Sequence, residues 1–376
     1  MSELQIGIVG CGNISTAYLV LASQFAGYSI VACSDLNKDL ADQQAAEFGC
    51  RSVSVEDLLN DSSIDLVVNL TVPAAHFEVT KAALTAGKHV YSEKPYVLSL
   101  EQGIELRELA SAKNLRIGSA PDTFLGGSHQ VARELIDAGD VGDIVGGSCY
   151  FYSHGMEDWH PQPDFFYQPG GGPILDMGAY YISNLVQLIG PVKRVVAMAS
   201  KPQSQRTITS EPRAGEVLDV NVQTTVNAIM EFEQGAQITF GSSWDVWSSE
   251  NNLIELHGTR QSMVIPDPNH FGGDVKINDG KTETVLPPMK VLSTPNLEDA
   301  HGTLKSNYRG IGLADMAVAI SQGRDHRCSG ELALHVIDVM LSILISAESG
   351  QSENILTSCV RPEALPDAAA KLLLRQ

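Results

Sequence analysis

Cysteine is scarce in this chain. Its six copies, Cys11, Cys33, Cys50, Cys149, Cys328 and Cys359, are far apart, and there is no Cys-x-x-Cys. That spacing argues against a disulfide framework and a structural zinc site, and it fits a reducing cytoplasm. Cations are also few: Lys plus Arg number 25 against 45 for Asp plus Glu, a formal net charge of −20. Such a chain repels phosphate backbones and anionic membrane surfaces, so nucleic-acid and peripheral-membrane roles are not expected. No window approaches 18 uninterrupted apolar residues, and Met1-Ser2-Glu3-Leu4-Gln5-Ile6 carries no basic leader region. Neither a membrane span nor a signal peptide is therefore predicted. Hydrophobic residues make up 43% of the 376 positions, enough for a substantial core, and the length suggests two domains.

The first third alternates short apolar runs with helical spacing. Runs at Leu4–Gly10, Ser29–Ser34, Leu66–Leu70, His89–Ser92 and Arg116–Ser119 read as strands. Helices are expected over Asn13–Ala26, Leu40–Phe48, Ala74–Ala86 and Leu100–Lys113. This alternation predicts a parallel sheet with right-handed crossovers, buried on both faces. From about residue 144 the pattern changes. Leu218 to Phe232 alternates apolar and polar positions and reads as one half-exposed antiparallel strand turning into Ala236–Trp244. Further strands are expected at Val192–Ala199, Leu253–His257 and Met263–Ile265, and helices at Ile311–Gln322 and Gly330–Glu348. Ser329 is a candidate N-cap and Gly350 a terminator. Pro266 to Pro295 reads as a loop. The second part is thus α+β, with a predominantly antiparallel open sheet and helices on one face.

Gly10-Cys11-Gly12-Asn13-Ile14-Ser15 ends the first strand and opens the first helix. The first glycine permits the tight turn, and the second lets backbone approach a pyrophosphate on the helix N-terminus. Ser15 replaces the usual third small residue. Asp35 ends the second strand 20 positions later. A carboxylate there accepts hydrogen bonds from a ribose diol and repels a 2′-phosphate, which favours NAD over NADP; Lys38 nearby argues the other way.

Two more strings stand out: Glu93-Lys94-Pro95 after the fourth strand, and Gly170-Gly171-Gly172-Pro173-Ile174-Leu175-Asp176-Met177-Gly178-Ala179-Tyr180. With the fingerprint, and with Arg309–Met316 near the end, they resemble the Gfo/Idh/MocA family of nicotinamide-dependent sugar oxidoreductases. The resemblance spans nearly the whole chain. It implies a Rossmann domain over 1–120 and an α+β substrate-binding and oligomerisation domain over 121–376, assembled as a homodimer or homotetramer. It implies a cofactor site of Gly10, Gly12, Asn13, Ile14, Asp35, Thr71, Pro73, His76, Glu93 and Lys94, with Lys94 beside the nicotinamide and the reacting carbinol.

A lysine at a strand's carboxyl end lies where open α/β sheets bind ligands, and a cation there stabilises a developing alkoxide. The plainer alternative is a solvated lysine. Where the family string commonly ends in His, this chain has Tyr180, as in the related dimeric dihydrodiol and xylose dehydrogenases. Asp176 and Tyr180 are four apart and share a helix face. Lys94 and an oxidised nicotinamide would depress a phenol from its usual value of about 10 toward working pH. Lys94, Asp176 and Tyr180 are thus the catalytic candidates: Tyr180 or Lys94 exchanges the proton, Asp176 orients the substrate, and Gly178 leaves room for it. Tyr181 points about 100° away. A purely packing role for Tyr180 is the alternative.

His154, Asp158, Trp159 and His160, in a segment rich in polar and aromatic groups, join Asp176 and Tyr180 as the substrate-binding candidates; the spacing of the segment matches no familiar zinc pattern, and no metal is expected. Between Ile117 and Val192 the sole cation is Arg133. A phosphate or carboxylate substrate calls for a paired Arg or Lys, so the expected partner is a neutral sugar or polyol. The chain reads Ala120-Pro121-Asp122-Thr123-Phe124 where many family members carry an aromatic–Arg pair, so specificity does not transfer from relatives. The leading expectation is an NAD-dependent sugar dehydrogenase. An NAD-recycling glycosidase or epimerase on the same fold and a non-catalytic sugar- and NAD-sensing regulator are the alternatives.

Overall fold

The structure is a computed structural model and describes residues 3–298 and 302–375. The first part runs β1 (Leu4–Val9), α1 (Asn13–Ala22), β2 (Tyr28–Ser34), α2 (Lys38–Phe48), β3 (Arg51–Ser52), α3 (Val55–Asn60), β4 (Leu66–Asn69), α4 (His76–Thr85), β5 (His89–Ser92), α5 (Leu100–Ala112) and β6 (Ile117–Ser119). Its six strands are all parallel, in the order β3-β2-β1-β4-β5-β6. Ile6, Ile8, Leu66, Val67, Val68 and Val90 are fully buried, which is why these strands read as unbroken apolar runs. The order reverses between β1 and β4, and ligands of open α/β sheets bind at the carboxyl ends of strands at such a switch point.

Two features of this part differ from the sequence reading. Helix α1 stops at Ala22 rather than Ala26, because Phe25 pairs with Leu374 and the Ala26 amide donates to the Leu373 carbonyl. A tertiary partner ends this helix. Helix α3 and strand β3 went unread because six and two residues are too short to show a period. The Ser54 cap, whose Oγ accepts from Asp57 N at 3.0 Å, was the visible signal.

The second part runs α6 (Gly127–Asp137), β7 (Ile144–Tyr152), α7 (Gly172–Ile189), β8 (Val192–Ser200), β9 (Gln205–Thr207), β10 (Val217–Asp219), β11 (Thr225–Phe232), β12 (Gln237–Ser243), β13 (Ile254–Gly258), β14 (Ser262–Ile265), β15 (Val275–Asn278) and β16 (Glu283–Leu286). It closes with β17 (Leu297–Glu298), β18 (Leu304–Lys305), α8 (Ile311–Gln322), α9 (Gly330–Ser349), β19 (Glu353–Asn354) and α10 (Asp367–Leu372). Nine strands form one sheet, β16-β15-β14-β13-β7-β12-β11-β8-β19, antiparallel except where β7 runs parallel to β12. Helices α7 and α9 pack together, with α9 on β8. Helix α9 is long and apolar enough to cross a bilayer by length and composition, and 67% of its most apolar window is buried in the fold. Ser329 caps it, with Oγ accepting from Leu332 N, and Gly350 ends it in a left-handed conformation.

The alternating run from Leu218 to Phe232 is not one strand. Its start, β10, pairs with β9 in a separate ribbon, while β11 pairs with β8 and β12. The alternation continues because both pieces bury one face, but in different cores. Leu218 and Val220 pack with Met156, Tyr167, Ile208 and Trp244, whereas Val226, Ala228, Met230 and Phe232 join the main core. The segment expected as a loop before Pro295 holds the hairpin β15–β16. Its Gly and Asp residues form the turn at Asp279-Gly280, where the Asp279 side chain accepts from Lys281 N and Thr282 N.

Candidate active site

Helices α2, α3, α5 and α9 begin with a side-chain cap from Asn37, Ser54, Ser99 and Ser329. Helix α1 does not: its N-cap is Gly12, and no side chain accepts from its first amides. Those amides are thus available to an anion at the positive end of the helix dipole. Gly10 has φ +102°, and a Cβ there would lie 2.6 Å from the Leu70 carbonyl group of the neighbouring strand end. A Cβ at Gly12 would meet nothing within 4 Å, so the approach to α1 is open. Ser15 is buried and donates its hydroxyl to the Gly12 carbonyl at 2.6 Å, which explains why a serine serves where a third glycine is usual.

Asp35 ties this turn together, accepting from Cys11 N at 2.7 Å and from Asn37 N at 2.8 Å. Lys38, the cation that could greet a 2′-phosphate, is instead paired with Asp42 at 2.5 Å. The open helix end and the carboxylate at the end of β2 fit the diphosphate and ribose diol of a dinucleotide. Asn13 and Ile14 form the first turn of α1. Across the switch point, buried His76 holds the Thr71 carbonyl (3.0 Å) and the Pro95 carbonyl (2.7 Å), and Pro73 starts the short turn leading into α4. His76 therefore links the loop after β4 to the Lys94-Pro95 turn after β5.

At that turn Glu93 accepts from the Tyr18 hydroxyl at 3.0 Å and from Lys94 N at 2.8 Å. Lys94 reaches α7, donating from Nζ to Asp176 Oδ1 at 2.8 Å and to the Asp176 carbonyl at 2.9 Å. It also lies 5.3 Å from the centre of the Tyr180 ring. The structure thus brings Glu93, Lys94, Asp176 and Tyr180 together from β5 and α7. Burial works against the Lys94 charge, but Asp176, Tyr180 and Glu93 outweigh it, so the ammonium is held more firmly than usual. A lysine held this way is a fixed cation and a hydrogen-bond donor, not a base.

Two expectations need correction. Burial pushes the Tyr180 phenol up rather than down, with Lys94 and Arg309 pulling against it only in part. Neighbouring charge shows in a sequence, whereas desolvation does not. Gly178 does not open space for substrate: a Cβ there would sit 3.1 Å from Met340 Sδ, so this glycine lets α9 pack on α7. The Asp176 carboxylate, expected to orient substrate, is engaged with Lys94. Tyr181 lies elsewhere, buried against Phe151 and donating to Asp267 Oδ1 at 3.2 Å.

The four proposed substrate residues lie in a different cluster. The His154 ring stacks on Trp247, and its carbonyl accepts from Arg206. Trp159 meets the edge of His160, which also touches Phe165 and Phe166, and Asp158 is exposed. Among the described residues, no hydrogen bond or ion pair joins these four to Lys94, Asp176 or Tyr180, and no group of three His, Cys, Asp or Glu converges to hold a metal.

Two residues at the start of α8 bear on the site without showing in the sequence. Arg309, just before α8, donates from its guanidinium to Asn269 and Asn307, and its charge pulls the Tyr180 phenol down. Asp122 accepts from Gly310 N and Gly312 N at 2.8 and 3.0 Å, fixing that same turn. No local pattern could reveal them, because 129 positions separate Arg309 from Tyr180 and only the fold joins them. Counting cations over Ile117–Val192 therefore undercounted the site's positive charge.

Residues 4–120 match the NAD-binding Rossmann domain of the GFO/IDH/MocA oxidoreductases, and residues 129–264 match the family's C-terminal domain. The chain is 24% identical to 1,5-anhydro-D-fructose reductase of Ensifer adhaerens, over 93% of this chain and 98% of that one. It is 28% identical to an uncharacterized oxidoreductase of Schizosaccharomyces pombe, over 80% of this chain and 83% of that one. In fold it is similar to the apo form of levoglucosan dehydrogenase, with a TM-score of 0.80 at 21% identity, over 96% of this chain and 100% of that one. The fingerprint on α1, the six-stranded sheet and the matched domains agree: the chain belongs to the GFO/IDH/MocA family of NAD-binding oxidoreductases, whose relatives include sugar dehydrogenases and reductases.

Proposed function

We propose that this protein moves a hydride between NAD and a carbinol carbon of a neutral sugar or polyol, with Tyr180 exchanging the hydroxyl proton and Lys94 stabilising the oxygen. The observation that carries this reading is the Lys94–Asp176 pair at 2.8 Å set against the Tyr180 ring, at the carboxyl end of β5. NAD, when bound, supplies the hydride acceptor. Asp176 holds the Lys94 ammonium in place, and that fixed charge lowers the energy of a developing alkoxide without reorganisation. Because Lys94 stays charged, the proton goes to or comes from the Tyr180 oxygen. Burial keeps the phenol protonated, so reduction uses it as a ready acid and oxidation gains as pH rises.

A neutral substrate is supported by the state of the cations. Lys94 is ion-paired with Asp176, and the Arg309 guanidinium donates to Asn269 and Asn307, so neither presents a free donor fork to a carboxylate or phosphate. The division into a cofactor part over 1–120 and a substrate part over 121–376 belongs to this reading, as does a cytoplasmic setting for a chain whose six cysteines are all free. So does assembly into a dimer or tetramer through the open sheet face. There Val145, Val196, Met198 and Ile229 are exposed, and Val196 lies across from Ile229 in register.

The test is NADH production over a library of neutral sugars, sugar phosphates and uronates. Net NADH from neutral sugars, reduced by a factor of about 100 or more in Tyr180→Phe and Lys94→Ala, is the expected result. Faster turnover of the charged sugars, near-parental turnover in both variants, or product without net NADH would each contradict the reading.

A further inference from the structure

Tyr18 sits on the buried face of α1, six positions past the Gly12 cap, and is 2% exposed. At a rise of about 1.5 Å per residue, its backbone lies about 9 Å along the helix from the end that fits a diphosphate. A phenylalanine would serve packing alone. The hydroxyl is a polar atom placed in the core, and there it needs a partner. That partner is Glu93, itself 9% exposed, whose Oε1 accepts from the Tyr18 hydroxyl at 3.0 Å. The other carboxylate oxygen, Oε2, accepts from Lys94 N at 2.8 Å. Among the described residues, no ion pair within 4.0 Å involves Glu93, so these two donors are what steady its buried carboxylate. Burial, and Glu93 after it, push the Tyr18 phenol well above its usual value, so it keeps its proton and stays a donor. On the far side of Lys94, His76 holds the Pro95 carbonyl at 2.7 Å, and Lys94 Nζ runs on to Asp176. A continuous chain of bonds thus leads from α1 through Glu93 to the Lys94 amide and on to α7.

We propose that Tyr18 is a positioning residue for Lys94, holding the Glu93 carboxylate on the Lys94 amide and so fixing the turn from which the ammonium reaches Asp176. The assignment rests on the reading of Lys94 as the group that stabilises the reacting oxygen. Without the hydroxyl, Glu93 Oε1 faces the core with no donor, and a buried polar atom left unpaired is unfavourable. The carboxylate then turns toward another donor, and Lys94 N loses the acceptor that set it. Lys94 carries its charge on a flexible four-carbon stem, so a shift at its backbone moves Nζ relative to a reacting oxygen. A misplacement of about 1 Å can cost a factor of about 100 in rate. Tyr18 acts on that oxygen through Glu93 and Lys94, and it keeps the helix that fits the diphosphate in register with the lysine that meets the carbinol.

Hydrogen exchange at the Lys94 amide, read by NMR on the full chain labelled with 15N-lysine, tests the link without cofactor or substrate. In Tyr18→Phe, which keeps the ring and its packing, that amide should exchange about tenfold faster or more. Lys88 N, just before β5 and bonded to the Ala83 carbonyl at 3.0 Å, should keep the parental rate. Tyr18→Leu, a second replacement without the hydroxyl, should behave alike and stands in if the Phe variant fails to fold. For the best neutral sugar, kcat should fall by a factor of about 10 to 100, with NADH affinity and the sugar KM changed less than about threefold. Glu93→Ala breaks the same link one step on, so Tyr18→Phe/Glu93→Ala should turn over within about twofold of Glu93→Ala alone. An unchanged Lys94 exchange rate or an unchanged kcat overturns the proposal, as does equal acceleration at Lys94 and Lys88, which marks general loosening. Losses that multiply in the double variant overturn it too, since Tyr18 would then act by a route other than Glu93. If Lys94→Ala keeps the parent's turnover, the reading of Lys94 fails instead, and the exchange rates, which need no turnover, report separately on the Tyr18 link.

Discussion

Gly10 and Asp35 carry the cofactor end of the site, and each makes a separate prediction. Gly10→Ala forces a side chain into a left-handed backbone and against the Leu70 carbonyl, at a cost of about 1–3 kcal/mol. The melting temperature should fall and NAD affinity should fall with it. Asp35→Ala removes a charged acceptor from two backbone amides and, by the fit above, from the ribose diol. Each charge-assisted bond is worth about 1.5–3 kcal/mol, so NAD affinity measured by calorimetry should drop at least tenfold. Unchanged affinity in Asp35→Ala would place the adenosine elsewhere. The fingerprint and the Glu93-Lys94-Pro95 and Asp176–Tyr180 strings were legible in the sequence because each lies within a few residues on one element. Arg309 and Asp122 were not, because their role comes from a turn that only tertiary packing places beside α7. The upward push of burial on the Tyr180 phenol was not legible for a related reason: charge can be read from neighbours in a string, whereas burial cannot.

Helix α8 depends on Asp122, a buried carboxylate that accepts from Gly310 N and Gly312 N. Burial pushes its pKa up to about 6, against the pull of those two amides and of Arg309. An unfolded Asp titrates at about 3.9. The folded protein therefore binds a proton here more tightly than the unfolded chain. This group's contribution to stability is complete below about pH 4 and is lost as pH rises through about 6. Asp122→Asn, which cannot titrate, should flatten that part of the stability profile in urea unfolding across pH 4 to 7; a parent and variant with parallel profiles would contradict it. The long alternating run from Leu218 to Phe232 teaches a related lesson. Period two marks half-buried extended chain, but it does not say which partner each piece finds, and β10 and β11 found different ones.

Across the whole molecule, the two parts are stitched together at both ends of the chain. Leu374 bridges Phe25, the Arg375 guanidinium donates to the carbonyls of Phe25 and Tyr28, and Gly118 bridges Ser329. The main apolar core runs continuously from β1 to α10. Removing the last residues should loosen the α1–β2 corner and lower cooperativity of unfolding, not merely shorten a tail. The exposed row on the nine-stranded sheet makes a second prediction at this scale. Val196→Glu/Ile229→Glu places two carboxylates at the centre of the face proposed for assembly. Light scattering should then report a monomer, while an unchanged assembly would move the interface elsewhere.

We propose that Lys94, held by Asp176, and Tyr180 perform proton-coupled hydride exchange with NAD on a neutral sugar. It is tested most directly by NADH formation from a neutral-sugar library across pH, in the parent and in Tyr180→Phe. Parental rates should rise toward alkaline pH, and the variant should be slowed by a factor of about 100 or more with that pH dependence lost. Equal rates and equal pH profiles in the two proteins would contradict it.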